Sequence, residues 1–196
     1  MSGTIDYYDK NVNEFFETTV NADMSEQYNF FEKYLYKGAI LLDCGCGSGR
    51  DTKYFLKKGY NVTAIDGSKE LCMKASKLTG IDIKHMLFQD INFDNRFDGI
   101  WACASLLHLS KEDLIEVINK LKVAMTSNGV LYVSFKYGEF CGLRNGRYFL
   151  DLTEGELNKI ISVVGSLKLE ETYVSMDVRR GRDNEKWLNA IISKEI

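Results

Sequence analysis

Asp43-Cys44-Gly45-Cys46-Gly47-Ser48-Gly49 places three glycines directly after the continuous apolar run Ala39-Ile40-Leu41-Leu42 and before a helix-forming segment that ends at Gly59. A run apolar at every position fits a strand buried on both faces, as in a parallel sheet. Glycines between such a strand and a helix permit positive φ and let a ligand lie against bare backbone near the helix N-terminus. The spacing is G-x-G-x-G. A dinucleotide fingerprint needs G-x-G-x-x-G, and Arg50 stands where its third glycine would be; a G-x-x-x-x-G-K-[ST] phosphate loop is absent because Arg50-Asp51 follows Gly49.

Downstream, strand and helix patterns alternate. Val62-Thr63-Ala64-Ile65 reads as a strand, 69–78 as a helix, 83–88 as a strand and Phe97–Cys103 as another. Ser110 caps a helix whose Leu114, Ile118, Leu121 and Met125 share one face, and Val130–Phe135 follows as a strand. This order predicts right-handed crossovers and a doubly wound, mostly parallel α/β sheet. Upstream, Tyr8, Val12, Phe15 and Phe16, then Met24, Tyr28, Phe31 and Leu35, recur at helical spacing. Segment 136–150 reads as an insertion loop, and Thr153 with Glu156 forms a capping box for a helix bearing Leu157, Ile160, Ile161 and Val164. Strands at 167–176 and 186–193 flank the polar turn Arg180-Gly181-Arg182-Asp183 and predict an antiparallel hairpin at one sheet edge. The length of 196 residues suits one domain: a helical cap (1–37), a core (38–135) and a substrate-side loop, helix and hairpin (136–196).

In open α/β sheets, ligands bind beyond the carboxyl ends of the strands. Asp66 ends the second strand, where a carboxylate can accept from both hydroxyls of a ribose. Asp90-Ile91 follows the third, where a carboxylate and an adjacent N–H suit an adenine. With the glycine turn, these elements suit one adenosine.

Leu42 through Asp51 resembles the first motif of class I S-adenosylmethionine-dependent methyltransferases. Ala64-Ile65-Asp66-Gly67-Ser68 resembles the second, and Phe97-Asp98-Gly99-Ile100-Trp101 through Leu107-His108 the fourth-strand motif. The chain is similar, more narrowly, to small stand-alone bacterial members of the tellurite-resistance-like type. The resemblance implies a seven-stranded Rossmann-like methyltransferase fold and S-adenosylmethionine as cofactor. Gly45, Gly47 and Gly49 would line its methionine part, Asp66 its ribose, and Asp90 with Ile91 its adenine. Asp43, Cys46, Arg50, Gly67, Ser68 and Cys103 complete the implied cofactor site. Thr126-Ser127-Asn128-Gly129 departs from the family, which often has a proline in the turn before the fifth strand.

Several residues admit two readings. Asp43 either orients the turn amides or sits near the cofactor's amino group. Arg50 either pairs on a helix surface or reaches the cofactor carboxylate. Tyr7 and Tyr8 either pack in the core or form a lid, where an aromatic face suits a sulfonium. His108, after the fourth strand, is a candidate general base or a packed wall residue. His85 carries no motif and reads as structural. Five of the seven arginines, Arg144, Arg147, Arg179, Arg180 and Arg182, fall in the last third. Guanidinium groups hold carboxylate or phosphate bidentately, so the cluster suits a small anionic substrate; a solvated turn with ion pairs is the plain alternative. Tyr8, Lys136, Arg147, Tyr148 and Arg179 are the candidate acceptor-binding residues, and His108 or Tyr148 the candidate base.

The net charge of −3 disfavours broad nucleic-acid binding. The complete absence of proline excludes the Asn/Asp-Pro-Pro-aromatic motif of nucleic-acid amino-methyltransferases; Ala102-Cys103-Ala104-Ser105 stands there instead. Cytosine carbon-5 enzymes place their nucleophilic cysteine after a proline, which removes Cys103 from that role. Five cysteines and two histidines without metal-ligand spacing imply no metal site and free thiols. No signal segment or long apolar run appears, so a cytoplasmic protein without a membrane partner is expected. The expected function is methyl transfer from S-adenosylmethionine to a small molecule with an anionic group. The alternatives are a non-catalytic S-adenosylmethionine-binding sensor, an RNA or DNA methyltransferase and, against the glycine spacing, a nicotinamide-dependent dehydrogenase. The oligomeric state is left open.

Overall fold

A computed structural model describes residues 2–179, 181–182 and 184–195, without the side chain of Ser2. Arg180 and Asp183, two members of the predicted polar turn, lie outside the described residues. Helices α1 (Ser2–Lys10), α2 (Val12–Thr19) and α3 (Ser25–Glu32) precede the sheet. Strands β1 (Ile40–Cys44), β2 (Asn61–Asp66), β3 (Lys84–His85), β4 (Phe97–Ala102) and β5 (Met125–Lys136) follow, with helices α4 (Arg50–Lys58), α5 (Lys69–Thr79) and α6 (Lys111–Ala124) between them. The chain continues through β6 (Cys141–Arg144), β7 (Arg147–Leu150), α7 (Glu154–Val164), β8 (Leu167–Met176) and β9 (Lys186–Lys194). The main sheet has seven strands in the order β3-β2-β1-β4-β5-β9-β8. The strands from β1 to β5 pair in parallel, and β9 runs antiparallel to both β5 and β8.

Both sheet faces are buried, and successive strand residues alternate between them. On β4 and β5, Ile100, Ala102, Leu131 and Val133 pack with α6 and α7 residues such as Ile118, Leu121 and Ile160. Their neighbours Trp101 and Tyr132 pack on the opposite face with Phe31 and Phe55. Trp101 and Tyr132 are register partners whose rings stack at 4.0 Å. The predicted caps form: Ser110 accepts from Asp113 N and Thr153 from Glu156 N.

Four boundaries differ from expectation. The first amphipathic segment breaks between Lys10 and Val12 into two helices. The third strand shrinks from 83–88 to Lys84–His85, because this edge strand pairs only with Ile65 and Asp66 of β2. α6 stops at Ala124, and Met125 already belongs to β5 as the partner of Phe97. Segment 136–150 is a two-stranded hairpin rather than a loop, with Arg144 paired to Arg147. Asn145 (φ 51°) and Gly146 (φ 76°) both take the positive φ that a two-residue hairpin turn of the primed type requires. Among the described residues, no helix is long and apolar enough to cross a membrane.

Candidate active site

The glycine turn is fastened at the end of β1. Gly45 N and Cys46 N both donate to Ile65 O, at 2.9 and 3.0 Å. Gly45 has φ +86°, and a Cβ there would lie 2.6 Å from Ser105 Cβ and 3.1 Å from the Phe88 ring. Gly49 has φ +79°, and its Cβ would lie 2.9 Å from Ala75 Cβ. The first glycine thus lets the end of β1, the segment after β4 and the Phe88 turn converge, and the third packs α4 against α5.

Asp66, buried at the end of β2, accepts from Gly47 N and Ser68 N, each at 2.8 Å. Burial pushes its carboxyl up, and these two amide bonds oppose that shift. Each carboxylate oxygen retains accepting capacity after one backbone bond. Ser68 caps α5 by accepting from Leu71 N, and its hydroxyl donates to Asp9 of α1 at 2.5 Å. The N-terminal helix is thereby tied to the wall beside Gly67.

Arg50 is engaged inside the protein. Its Nε and one Nη donate to the two oxygens of Asp51 at 2.7 and 2.9 Å, and its other Nη donates to Thr19 O at 3.4 Å. Tyr28 Oη and Trp101 Nε1 also donate to Asp51, at 2.6 and 2.9 Å. Burial pushes the Asp51 carboxyl up, but Arg50 and these two donors outweigh it and hold the carboxyl low. Asp43 lies behind the turn, accepting from Thr52 Oγ1 at 2.5 Å; burial, then the Asp51 charge, push its carboxyl up to about 8. Burial likewise raises the Cys46 thiol well above its ordinary value and the Cys103 thiol to about 12.

Beyond β4 the geometry centres on His108. Its Nδ1 lies 2.7 Å from the carbonyl oxygen of Tyr148, and its Nε2 lies 2.8 Å from Tyr8 Oη. Burial pulls the imidazole down to about 4, with the Arg147 charge acting in the same direction. Both ring nitrogens are thus engaged within the protein, one by a backbone carbonyl and one by a tyrosine hydroxyl. Tyr148 Oη lies 2.9 Å from Cys141 Sγ, with its hydroxyl pushed up to about 12 by that bond and then by burial.

The arginines separate into two kinds. Arg144 pairs with Asp151 at 2.9 Å, Arg182 with Glu185 at 3.6 Å, and Arg179 with Asp177 at 2.5 Å. Lys136 is bonded to Glu185. Arg147 differs: among the described residues it has no carboxylate partner. Its guanidinium stands 4.4 Å from the Tyr7 ring centroid, one Nη donates to Tyr8 Oη at 3.3 Å, and its Nε is buried without a partner.

These parts surround a cavity of about 460 Å³, within the range of small-molecule sites. Of the predicted cofactor residues, Gly45, Cys46, Gly47, Arg50, Asp66, Gly67, Ser68 and Cys103 line it. So do Tyr8, His108, Lys136, Arg147 and Arg179. Five predicted site residues do not. Asp43 and Gly49 sit behind the turn, and the Tyr148 side chain turns to Cys141. Asp90 is exposed and Ile91 is buried in the core, because the turn Phe88–Asp90 carries both past the crevice. Leu87 and Phe88 line the cavity instead.

Sequence reasoning missed a buried polar cluster in the cavity wall. Tyr132 Oη donates to Asn189 Oδ1 at 2.7 Å, Asn189 Nδ2 to Ser175 Oγ at 2.9 Å, and Gln27 Nε2 to Ser175 Oγ at 3.5 Å. All four line the cavity, and Gln27 Oε1 has no partner among the described residues. Polar residues inside otherwise apolar strand patterns were the available signal. Among the described residues, no group of three His, Cys, Asp or Glu is placed to hold a metal ion.

A seven-stranded sheet with this strand order and a glycine turn over β1 defines a class I, Rossmann-like methyltransferase fold. Residues 41–129 match the family described as "Methyltransferase domain". An uncharacterized methyltransferase of Staphylococcus carnosus is 26% identical over 91% of this chain and 94% of its own length. The N-terminal Xaa-Pro-Lys N-methyltransferase 1-B of Xenopus laevis is 27% identical over 58% of this chain and 57% of its own. Among solved structures, the Burkholderia thailandensis 1,6-didemethyltoxoflavin-N1-methyltransferase, with bound 1,6-didemethyltoxoflavin and S-adenosylhomocysteine, shares the fold. It has a TM-score of 0.79 at 20% identity and covers 100% of this chain and 87% of that one. The chain thus has the class I methyltransferase fold and matches a methyltransferase domain over residues 41–129.

Proposed function

We propose that the protein methylates a small molecule carrying an anionic group. The observation that carries this reading is Arg147, a cavity-lining guanidinium that no described carboxylate neutralises. A guanidinium in a partly desolvated wall favours a carboxylate or phosphate oxygen. Arg144, Arg179 and Arg182 shape the wall through their own ion pairs.

The cavity fits the cofactor. Gly45 and Gly47 present bare backbone at the turn, Asp66 has accepting capacity for ribose hydroxyls, and Leu87 with Phe88 offers an apolar wall for the adenine. The Arg50 Nη that reaches Thr19 O lies outside the Asp51 pair and is the donor available to a carboxylate. S-adenosylmethionine supplies an electrophilic methyl on a sulfonium leaving group. The protein's task is then chiefly alignment of the acceptor. Tyr8 and Phe15, from the N-terminal helices, close the cavity over the turn.

A peptide acceptor is the second reading, favoured by the Xaa-Pro-Lys methyltransferase relative. A methyl-transfer screen with a metabolite panel and an Xaa-Pro-Lys peptide separates the two. Transfer to small anions that is lost in Arg147→Ala supports the first, and transfer to the peptide alone contradicts it.

A further inference from the structure

We propose that His108 is a positioning residue that turns the Tyr8 hydroxyl so that its oxygen, not its proton, serves the cavity. That oxygen and Arg147 together select a small anion bearing an N–H or O–H beside its charged group. The proposal rests on the methyl-acceptor reading above and narrows its substrate class.

The argument follows the protons. A carbonyl oxygen only accepts, so His108 Nδ1, 2.7 Å from Tyr148 O, carries the hydrogen. A neutral imidazole has one N–H, which leaves Nε2 as an acceptor. Tyr8 Oη, 2.8 Å away, is therefore the donor, and its single hydrogen is spent on the histidine. The charged and titratable groups around the pair favour this state. Arg147 on β7 opposes a second proton on His108, and Tyr8 faces Arg147, Asp66 and Tyr7.

Among the described residues, the remaining phenolic lone pairs meet one hydrogen-bond donor, the Arg147 Nη at 3.3 Å. Guanidinium donors and a phenolic acceptor thus stand within one hydrogen-bond length of each other on the cavity wall. A ligand that engages both must hold an anionic oxygen and a donor hydrogen about four or five bonds apart. An anion with no donor would displace solvent there and leave the second phenolic lone pair without a partner, which disfavours it.

Two measurements on the full chain loaded with S-adenosylhomocysteine test the proposal. Nitrogen-15 spectra of the imidazole rings, assigned with His85→Gln, should show His108 protonated at Nδ1 and bare at Nε2 between about pH 6 and 8. Tyr8→Phe should shift the Nε2 resonance and leave Nδ1 nearly unmoved. A proton on Nε2, or an Nε2 resonance indifferent to Tyr8→Phe, overturns the geometry. Calorimetry with the matched probes anthranilate and benzoate, and lactate and propionate, should give about tenfold tighter binding of the donor-bearing member, with the gap closing in Tyr8→Phe. Equal binding of each pair to wild type overturns the selection. Wild-type protein that fails to bind S-adenosylhomocysteine overturns the cofactor and acceptor reading instead, while the ring spectra still decide the Tyr8–His108 geometry.

Discussion

Arg147 of the β6–β7 hairpin donates to the hydroxyl of Tyr8 on α1 at 3.3 Å, joining two elements 139 positions apart in the sequence. Replacing Arg147 by Ala removes from the cavity wall a guanidinium that has no carboxylate partner among the described residues. KM for an anionic acceptor should rise about 10- to 100-fold, the range of a lost charged hydrogen bond, with S-adenosylhomocysteine affinity little changed. Arg179→Ala should have a smaller effect on acceptor KM, because Asp177 already holds that side chain through both oxygens. Steady-state kinetics on both variants check the contrast.

Gly49→Ala and Gly59→Ala separate two costs of a side chain at positive φ. Gly49 has φ +79° and no room, with Ala75 at 2.9 Å, whereas Gly59 has φ +88° and nothing within 4 Å. The Gly59 variant should lose about 1 kcal/mol, the left-handed backbone cost alone. The Gly49 variant should lose about 2–4 kcal/mol, because overpacking is added. Equal losses in urea unfolding would contradict the close α4–α5 contact.

Asp51 sits buried under four donors, two from Arg50 and one each from Tyr28 and Trp101. Asp51→Ala strands the Arg50 cation in a site it shares with apolar rings. Breaking one side of such a pair costs about 3–5 kcal/mol, and denaturant unfolding should show a loss of that order. A loss below about 1 kcal/mol would mean that the pair is solvated.

Asp43 makes stability depend on pH. Burial pushes its carboxyl from 3.8 up to about 8, so the folded protein prefers the neutral acid. Its contribution is complete below the unfolded value of 3.8 and is lost as pH rises through about 8. Asp43→Asn keeps a neutral group that can still accept from Thr52. The variant should gain on wild type between about pH 5 and 8 in urea unfolding. Parallel stability curves would contradict the raised value.

The sheet was readable because buried strands and capped helices leave strong local patterns, as in Ala39–Leu42 and at Ser110 and Thr153. Asp66 and the glycine turn were readable for a related reason: position at a strand end fixes where they point. Asp90 was not, since three residues of tight turn after β3 decide which way it faces. The β6–β7 hairpin carried a signal, Asn145-Gly146, that the surrounding arginines obscured. The role of His108 depends on the Tyr148 carbonyl, a backbone atom 40 positions away that no residue pattern encodes. The Gln27–Ser175–Asn189 wall joins one helix to two strands and exists only through tertiary packing.

Calorimetric titration of S-adenosylhomocysteine into wild type and Asp66→Ala tests the central claim most directly. The Asp66 carboxylate holds Gly47 N and Ser68 N at 2.8 Å and faces the cavity that the glycine turn borders. Wild type should bind one equivalent, and Asp66→Ala should bind at least about 100-fold more weakly while remaining folded, through loss of charged hydrogen bonds to the ribose and of the turn's anchor. Equal affinity in the two proteins, or no binding in either, would contradict the account.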